Sequence, residues 1–217
     1  MKRLLARLFA PGRDTALRAA RWVVVDCETS GLDATRDRLL SVGAVAVRGG
    51  RIELGESFSA VLRQEQASDS SNILVHGIGG EAQMGGRPAA QALREFADFL
   101  GDGLPVAYHA AFDDAVLRRA MARKNGLRAP RGWLDLARLA PVLCPGSTQD
   151  PSRARRALDD WLAEFNIACA ARHDALADAY ATAQLLLVLL ACAERQGADT
   201  VERLRRLERA GRWTGAA

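Results

Sequence analysis

The chain has few cysteines, and their spacing fits neither a zinc site nor a disulfide framework. Among the 217 residues the four cysteines are Cys27, Cys144, Cys169 and Cys192, with no CxxC pair and no histidine at matching spacing. Structural zinc sites and small secreted folds need such regular spacing. The sequence therefore predicts reduced thiols in a cytoplasmic protein.

A secretory signal is not convincing in this sequence, and we expect its apolar run over residues 181–193 to be too short to cross a membrane. Arg7 interrupts the apolar residues near the N-terminus that a signal peptide would need. Residues 181–193 are mostly apolar, but the run contains Gln184 and is shorter than a membrane span. We expect this run to be a core helix of a soluble protein rather than a membrane anchor.

The composition fits one globular domain with charged ends. Hydrophobic residues make up 49% of the chain and charged residues 26%, and no internal repeat or second domain is evident. The formal charge of +4 is uneven, because residues 1–21 carry +5, residues 194–217 carry +2 and the remainder carries −3. We divide the chain into a basic N-terminal segment, 1–21, a central domain, 22–194, and a basic C-terminal helix or tail, 195–217.

The first residues of the basic N-terminal segment have the pattern of an amphipathic helix. Its apolar residues would lie on one side: Leu4, Leu5, Leu8 and Phe9. Docking on the protein's own domain or on a dimer mate is the preferred interpretation. A partner protein, nucleic acid and a membrane surface are the alternatives, and the oligomeric state stays open.

The order of the predicted elements indicates an α/β fold with a mixed sheet and helices on both faces. Three strands are expected at 21–27, 39–50 and 51–62, and the short turns between them favour antiparallel pairing. The Gly- and Ser-rich residues 66–90 are expected to form a long loop. Helices and short strands then alternate: helices over 89–101, 112–126 with a cap at Gly126, 154–167 and 174–197, a strand over 104–109, and a strand running into a helix over 132–143.

Two acids stand side by side at the end of the first predicted strand. Asp26 and Glu28 point to the same face because strand side chains alternate. Such a pair is either solvated or needs a shared proton or a cation. Asp113 follows another short strand, and Asp178 lies five residues after His173 in the last long helix. Taken singly, an acid early in a helix is also explained by capping.

Together these residues resemble the DEDDh class of 3′–5′ exonucleases, in particular relatives of the proofreading epsilon subunit of bacterial DNA polymerase III. The matching motifs are DCETSGLD with Asp26 and Glu28, HAAFD with Asp113, and HDALAD with His173 and Asp178. VHGIG at 75–79 and WLDLARLA at 133–140 resemble two further segments of that family. The resemblance covers roughly residues 22–194 and implies a ribonuclease H-like fold for this exonuclease domain.

The resemblance also implies metal-dependent hydrolysis of a terminal phosphodiester. Four carboxylates would bind two divalent cations, Mg²⁺ or Mn²⁺: Asp26, Glu28, Asp113 and Asp178. These ions prefer oxygen ligands, and a pair of them suits both the attacking water and the leaving oxygen. His173 would be the general base. A related subclass has Tyr four residues before the last acid, where this chain has Asp174.

One position departs from the family pattern, and three further residues are assigned to the substrate. The family usually has Asn after the His of its second motif, where this chain has Ala110, so a side-chain hydrogen bond is lost. By the same resemblance, Thr29 and Leu32 would contact the terminal nucleotide and His76 would lie near its sugar. Ordinary loop packing is the alternative for Leu32 and His76.

The substrate is the least determined part of the prediction. The preferred function is hydrolysis of single-stranded DNA from its 3′ end to 5′-nucleoside monophosphates by a stand-alone enzyme, with DNA replication or repair proteins as candidate partners. An RNA or oligonucleotide exonuclease of the same superfamily is the close alternative, because single-stranded DNA and RNA share most of the features that such a site binds. A non-catalytic nucleic-acid-binding module with the same fold is the alternative from another class.

Overall fold

A mixed five-stranded sheet forms the centre of the protein. The computed structural model describes residues 15–123, 127–145 and 156–214, so the predicted N-terminal helix and the cap at Gly126 lie outside the described residues. The strands are β1 (Trp22–Thr29), β2 (Leu39–Arg48), β3 (Arg51–Val61), β4 (Leu104–Ala107) and β5 (Leu134–Asp135). Their order in the sheet is β3-β2-β1-β4-β5.

The first three strands pair as an antiparallel meander, and β4 and β5 extend the sheet in parallel with β1. Gly49 and Gly50 close the tight turn between β2 and β3 with φ values of 61° and 75°, a conformation that glycine adopts without strain. A parallel neighbour needs a long crossover, which the residues between β3 and β4 supply as helices. The predicted mixed sheet is thereby confirmed, and the topology is that of a ribonuclease H-like fold.

Eight helices are present in the described residues. They are α1 (Ser70–His76), α2 (Gly80–Gly85), α3 (Ala89–Leu100), α4 (Ala110–Arg123), α5 (Leu136–Leu143), α6 (Leu158–Glu164), α7 (Ala175–Arg195) and α8 (Val201–Thr214). The long loop expected over residues 66–90 is therefore wrong, because α1 and α2 occupy much of it. Side-chain bonds to other parts of the fold hold them there: Asn72 Nδ2 donates to the Thr29 carbonyl, and Gln83 Nε2 donates to Ser68 Oγ.

Two hydrophobic cores cover the two faces of the sheet. On one face Trp22 and Val24 of β1 pack with the buried side of α7. On the other face Val23 and Val25 pack with residues of α3 and α4, among them Phe96. The alternation along β1 thus sends successive side chains into opposite layers. Helices lie on both faces, as predicted.

Helix α7 packs close to the backbone of the sheet at Gly43. The helix is long and apolar enough to span a membrane by length and composition alone, but 61% of its apolar window is buried within the protein. A Cβ atom added at Gly43 of β2 would lie 2.2 Å from the carbonyl carbon of Ala175. Because Gly43 has no side chain, the first turn of α7 can rest directly on the sheet.

The described parts of both flanking segments pack onto the same body. Leu17 is fully buried in the core that contains α7, as is Leu204 of α8. Ala16 forms a β-bridge with Thr200, and the guanidinium of Arg18 forms a salt bridge with Glu194. The segment that precedes the sheet domain and the segment that follows it therefore contact each other.

Candidate active site

The end of β1 places two carboxylates on the face that α7 covers. Asp26 pairs across the sheet with Gly43, and Glu28 pairs with Ser41. Both side chains are half-buried. Since α7 begins against Gly43, its first turn lies beside Asp26 and Glu28. The strand alternation inferred from the sequence accounts for this pairing of the two acids.

Asp113 approaches the same end of the sheet from the other layer. It lies in the first turn of α4, is buried, and receives a hydrogen bond from the thiol of Cys27. The turn before α4 has His109 at a φ of 62°, and the His109 N–H donates to Asp135 Oδ1 over 3.2 Å. Ala110, the departure from the family pattern, is a buried residue at the start of α4.

Asp178 comes from the first turns of α7, and His173 lies directly before the N-cap of that helix. Asp178 is buried one turn into the helix, and its Oδ2 accepts the backbone N–H of His173 at 2.9 Å. His173 is exposed and has a φ of 63°, the left-handed conformation. Asp174 caps the helix by accepting the N–H of Ala177. The carboxylate of Asp178 thus fixes the backbone that presents the imidazole.

Burial, with the charges of neighbouring acids, raises the pKa values of three of these carboxyl groups. Burial raises the pKa of Glu28 to about 7, and the charges of Asp178 and Asp174 add to the effect. Burial raises the pKa of Asp113 to about 8, although the Cys27 thiol opposes this. Burial, followed by the charges of its acidic neighbours, holds the pKa of Asp26 well above its usual range. Such a cluster is stabilised by protons or by cations.

The donor atoms fit a divalent cation. One ligand atom each from Glu28, His173 and Asp178 lie within 4.8 Å of one another. Asp26 and Asp113 are close enough to raise the pKa of Asp26 by mutual repulsion. Carboxylate oxygens with one imidazole form a donor set that binds hard or borderline divalent ions. The structure therefore brings together all five residues predicted as catalytic.

A cation of the protein itself also lies in this cluster, and the sequence reasoning missed it. Arg172 donates from Nη1 to Asp178 Oδ1, and its Nε donates to Asp159 Oδ1 at 2.5 Å. Its charge lowers the pKa of Asp26 and of Glu28 against the effects that raise them. The only signal available was its position directly before His173.

The residues assigned to the substrate occupy three different environments. Leu32 is 93% exposed in the loop after β1, whereas Thr29 is buried with its hydroxyl donating to the Gly31 carbonyl. His76 is buried, its Nδ1 accepts the N–H of Ile78, and its Nε2 lies 2.8 Å from Asn72 Oδ1. The ring of His76 is thus occupied in holding α1. Of the three side chains, Leu32 is the one that presents a free surface.

Asp135 is a second residue that the sequence reasoning did not single out. Its buried Oδ1 accepts the N–H of Ala137, which caps α5, and also the N–H of His109. The turn that leads into α4 and Asp113 is therefore fixed by a carboxylate from β5. An Asp between a short apolar strand and a helix was the signal for the cap.

The fold and the acid cluster define a nuclease-like site, and the sequence comparison gives the family. Residues 23–186 match the family model described as Exonuclease. The chain belongs to this exonuclease family, which confirms the resemblance inferred from its motifs.

Among the proteins similar in sequence are PolC-type DNA polymerases III. The chain is 28% identical over 195 residues to the PolC-type DNA polymerase III of Thermotoga maritima, covering 90% of this chain and 14% of that protein. It is 29% identical over 177 residues to the corresponding Bacillus subtilis protein, covering 81% of this chain and 12% of that one. The chain therefore spans only a small part of the length of these relatives.

Solved structures of exonuclease I have a similar fold. The E. coli enzyme in complex with a dT13 oligonucleotide superposes with a TM-score of 0.69 at 19% identity, covering 82% of this chain and 42% of that chain. Exonuclease I from Methylocaldum szegediense has a TM-score of 0.64 at 22% identity, covering 82% and 41%. At this identity the similarity concerns the fold.

Proposed function

We propose that the protein is a metal-dependent 3′–5′ exonuclease that releases 5′-nucleoside monophosphates from single-stranded DNA. The observation that carries this proposal is the convergence of four acids and His173 from β1, α4 and α7 at one end of the sheet. Membership of the exonuclease family supports the reaction class.

The carboxylates of Asp26, Glu28, Asp113 and Asp178 would hold two divalent cations, Mg²⁺ or Mn²⁺. When bound, such ions supply Lewis acidity toward the attacking water and the leaving oxygen. The raised pKa of Glu28 supports this assignment, because burial and the charges of Asp178 and Asp174 make its ionised carboxylate unfavourable without a nearby cation.

His173 would take the proton of the attacking water at a ring nitrogen. Its imidazole is exposed at the mouth of the site, where substrate and solvent reach it. The bond from its backbone N–H to Asp178 keeps it beside the carboxylates without using the ring. A positioned general base needs this combination of fixed location and free nitrogen.

Leu32 is the best candidate for contact with the terminal nucleotide. A leucine that is 93% exposed, four residues after Glu28 in the chain, offers an apolar surface on which a base can rest. Thr29 and His76 would help to position the loop that carries Leu32, because Asn72 links the His76 ring to the backbone of Thr29.

The preference for DNA, the cytoplasmic location and a role beside replication or repair proteins are parts of the same proposal. Support for DNA comes from the oligonucleotide in the E. coli exonuclease I complex, and support for a replication context from the PolC-type relatives. These are properties of those proteins, and the chain described here shares their fold or part of their sequence.

Parallel assays on single-stranded DNA, duplex DNA, RNA and dinucleotides with Mg²⁺ or Mn²⁺ test the proposal. We expect 5′-labelled single-stranded DNA to shorten stepwise from its 3′ end, and a chelator to stop the reaction. Circular single-stranded DNA should stay intact. Products with a 3′-phosphate or cuts in the circle would refute the reaction type.

Two other outcomes separate the alternatives. Faster hydrolysis of RNA or dinucleotides than of DNA would favour the RNA or oligonucleotide enzyme. Binding of single-stranded DNA without hydrolysis under either metal would favour the non-catalytic module. Asp26→Asn serves as the matched inactive control, because it removes one charge at nearly constant side-chain volume.

A further inference from the structure

Both carboxylate oxygens of Asp178 accept hydrogen bonds from groups of the protein itself. Its Oδ2 accepts the His173 N–H, and its Oδ1 receives both Nη1 of Arg172 and the thiol of Cys169, the latter at 3.3 Å. The Asp178 side chain is 5% exposed and that of Arg172 is 30% exposed, so the ion pair is partly shielded from water. A shielded pair is stronger than a surface salt bridge.

Arg172 also has a second acidic partner outside the cluster. Its Nε and Nη2 face the two carboxylate oxygens of Asp159, at 2.5 and 3.4 Å. Asp159 lies in the first turn of α6 and its side chain is 64% exposed. The planar guanidinium therefore bridges a buried acid of the site and an exposed acid at its edge, a geometry that arginine supports and lysine does not.

A divalent cation at Asp178 would compete with the guanidinium for the charge of one carboxylate. Both are positively charged, and Oδ1 of Asp178 already accepts a hydrogen bond from Arg172. Like charges in a partly buried site repel. A cation bound at Asp178 would therefore weaken the pair with Arg172, and Asp159 would remain as the partner of the guanidinium.

We propose that Arg172 is the resident counter-ion of the acid cluster, which competes with a divalent cation for Asp178 and is retained by Asp159 when the cation binds. The inference rests on the proposed function, because it takes Asp178 as a cation ligand. Arg172 is then a positioning residue that sets metal affinity, and Asp159 is its alternative partner.

Mn²⁺ binding to the full chain without nucleic acid tests the proposal. It is measured by isothermal titration calorimetry and by electron paramagnetic resonance of free Mn²⁺. We expect Arg172→Gln to bind Mn²⁺ about tenfold more tightly than wild type, because the competing charge is gone. The metal-free variant should also unfold at a lower temperature, and added Mn²⁺ should raise that temperature by more than in wild type. Arg203→Gln is the matched control, since it removes one arginine from an exposed pair with Asp199.

Asp159→Asn should have the opposite effect, with Mn²⁺ binding weakened several-fold, because the displaced guanidinium loses its alternative partner. In the Arg172→Gln background the Asp159→Asn change should have no further effect. If it weakened binding equally in both backgrounds, Asp159 would act through its charge alone, and its assigned role would be refuted.

The failure of this inference is distinguishable from failure of the proposed function. Unchanged or weaker Mn²⁺ binding by Arg172→Gln, with wild type active on DNA, would refute the competition and leave the exonuclease in place. A wild type that neither binds Mn²⁺ nor hydrolyses DNA would refute both. Thermal unfolding of each variant shows whether it is folded, so a loss of structure is not mistaken for a loss of binding.

Discussion

At the scale of residues, His173 and Asp178 are linked through one backbone hydrogen bond but have different proposed tasks. Asp178 would offer its carboxylate to a cation, and its Oδ2 also holds the N–H of His173. The imidazole of His173 stays exposed and has a ring nitrogen within 4.8 Å of a ligand oxygen of both Glu28 and Asp178. Substitutions at these two positions should therefore give separable effects.

We predict that His173→Ala lowers turnover by about 10²–10⁴ while Mn²⁺ binding is retained, because a proton acceptor is lost and the carboxylates remain. Asp178→Asn should lower Mn²⁺ affinity and turnover together. Single-turnover hydrolysis and calorimetric titration distinguish the two variants. Wild-type turnover in His173→Ala would remove the general-base assignment, and a large loss of Mn²⁺ affinity would make the imidazole a ligand instead.

Much of the site was predictable at the residue scale, because strand alternation alone places Asp26 and Glu28 on one face. The two helix acids and His173 needed the family motifs, since their sequence distance from β1 carries no geometric information. Arg172 and Asp159 were missed for a related reason. They are 13 residues apart, with Asp159 in the first turn of α6 and Arg172 in the segment before α7, and only the fold brings the guanidinium between Asp159 and Asp178.

At the scale of elements, apolar runs predicted β1 to β5 and helical spacing predicted α3 and α7. The sequence did not predict α1 and α2. Each of these two helices has fewer than eight residues and no side-chain cap bond. Isolated helices of this length are unstable in water. Bonds such as that from Asn72 to Thr29 hold them in place, and local sequence does not report such contacts.

The element-scale prediction concerns the contact between β2 and the start of α7. Gly43→Ala should lower the free energy of unfolding by about 1–3 kcal/mol or more, because the new Cβ would meet the Ala175 backbone. Turnover should fall as well, since the displaced turn carries His173 and Asp178. Gly55→Ala on β3 is the matched control, because nothing lies within 4 Å of its added Cβ. Equal stability and activity of the two variants, by denaturant titration and nuclease assay, would contradict the assigned close approach.

At the scale of the whole molecule, the acid cluster links stability to pH. In the folded protein the pKa of Glu28 is about 7 and that of Asp113 is about 8, both above the ordinary values of 4.5 and 3.8. The folded state therefore keeps protons that the unfolded chain releases. Stability from these groups is complete below their ordinary pKa values and is lost as pH rises through the folded values.

We predict that the metal-free protein has a lower unfolding temperature near pH 8 than near pH 5, and that added Mn²⁺ removes most of this difference. Exposed acids such as Asp33 and Glu95 have pKa values lowered from the ordinary 3.8 and 4.5. They titrate below the range from pH 5 to pH 8, so they do not oppose the trend. Calorimetric scans with and without a chelator measure the effect. In Asp113→Asn the dependence should be shallower. An unfolding temperature that rises between pH 5 and pH 8 without metal would contradict the assigned shifts.

The bridge between Ala16 and Thr200 has a consequence for how such a domain is carried in larger proteins. The polypeptide enters and leaves the sheet domain at neighbouring points, so the residues between Ala16 and Thr200 begin and end at adjacent positions. A unit of this kind can be inserted into a surface loop of a host protein without pulling the host's flanking residues apart.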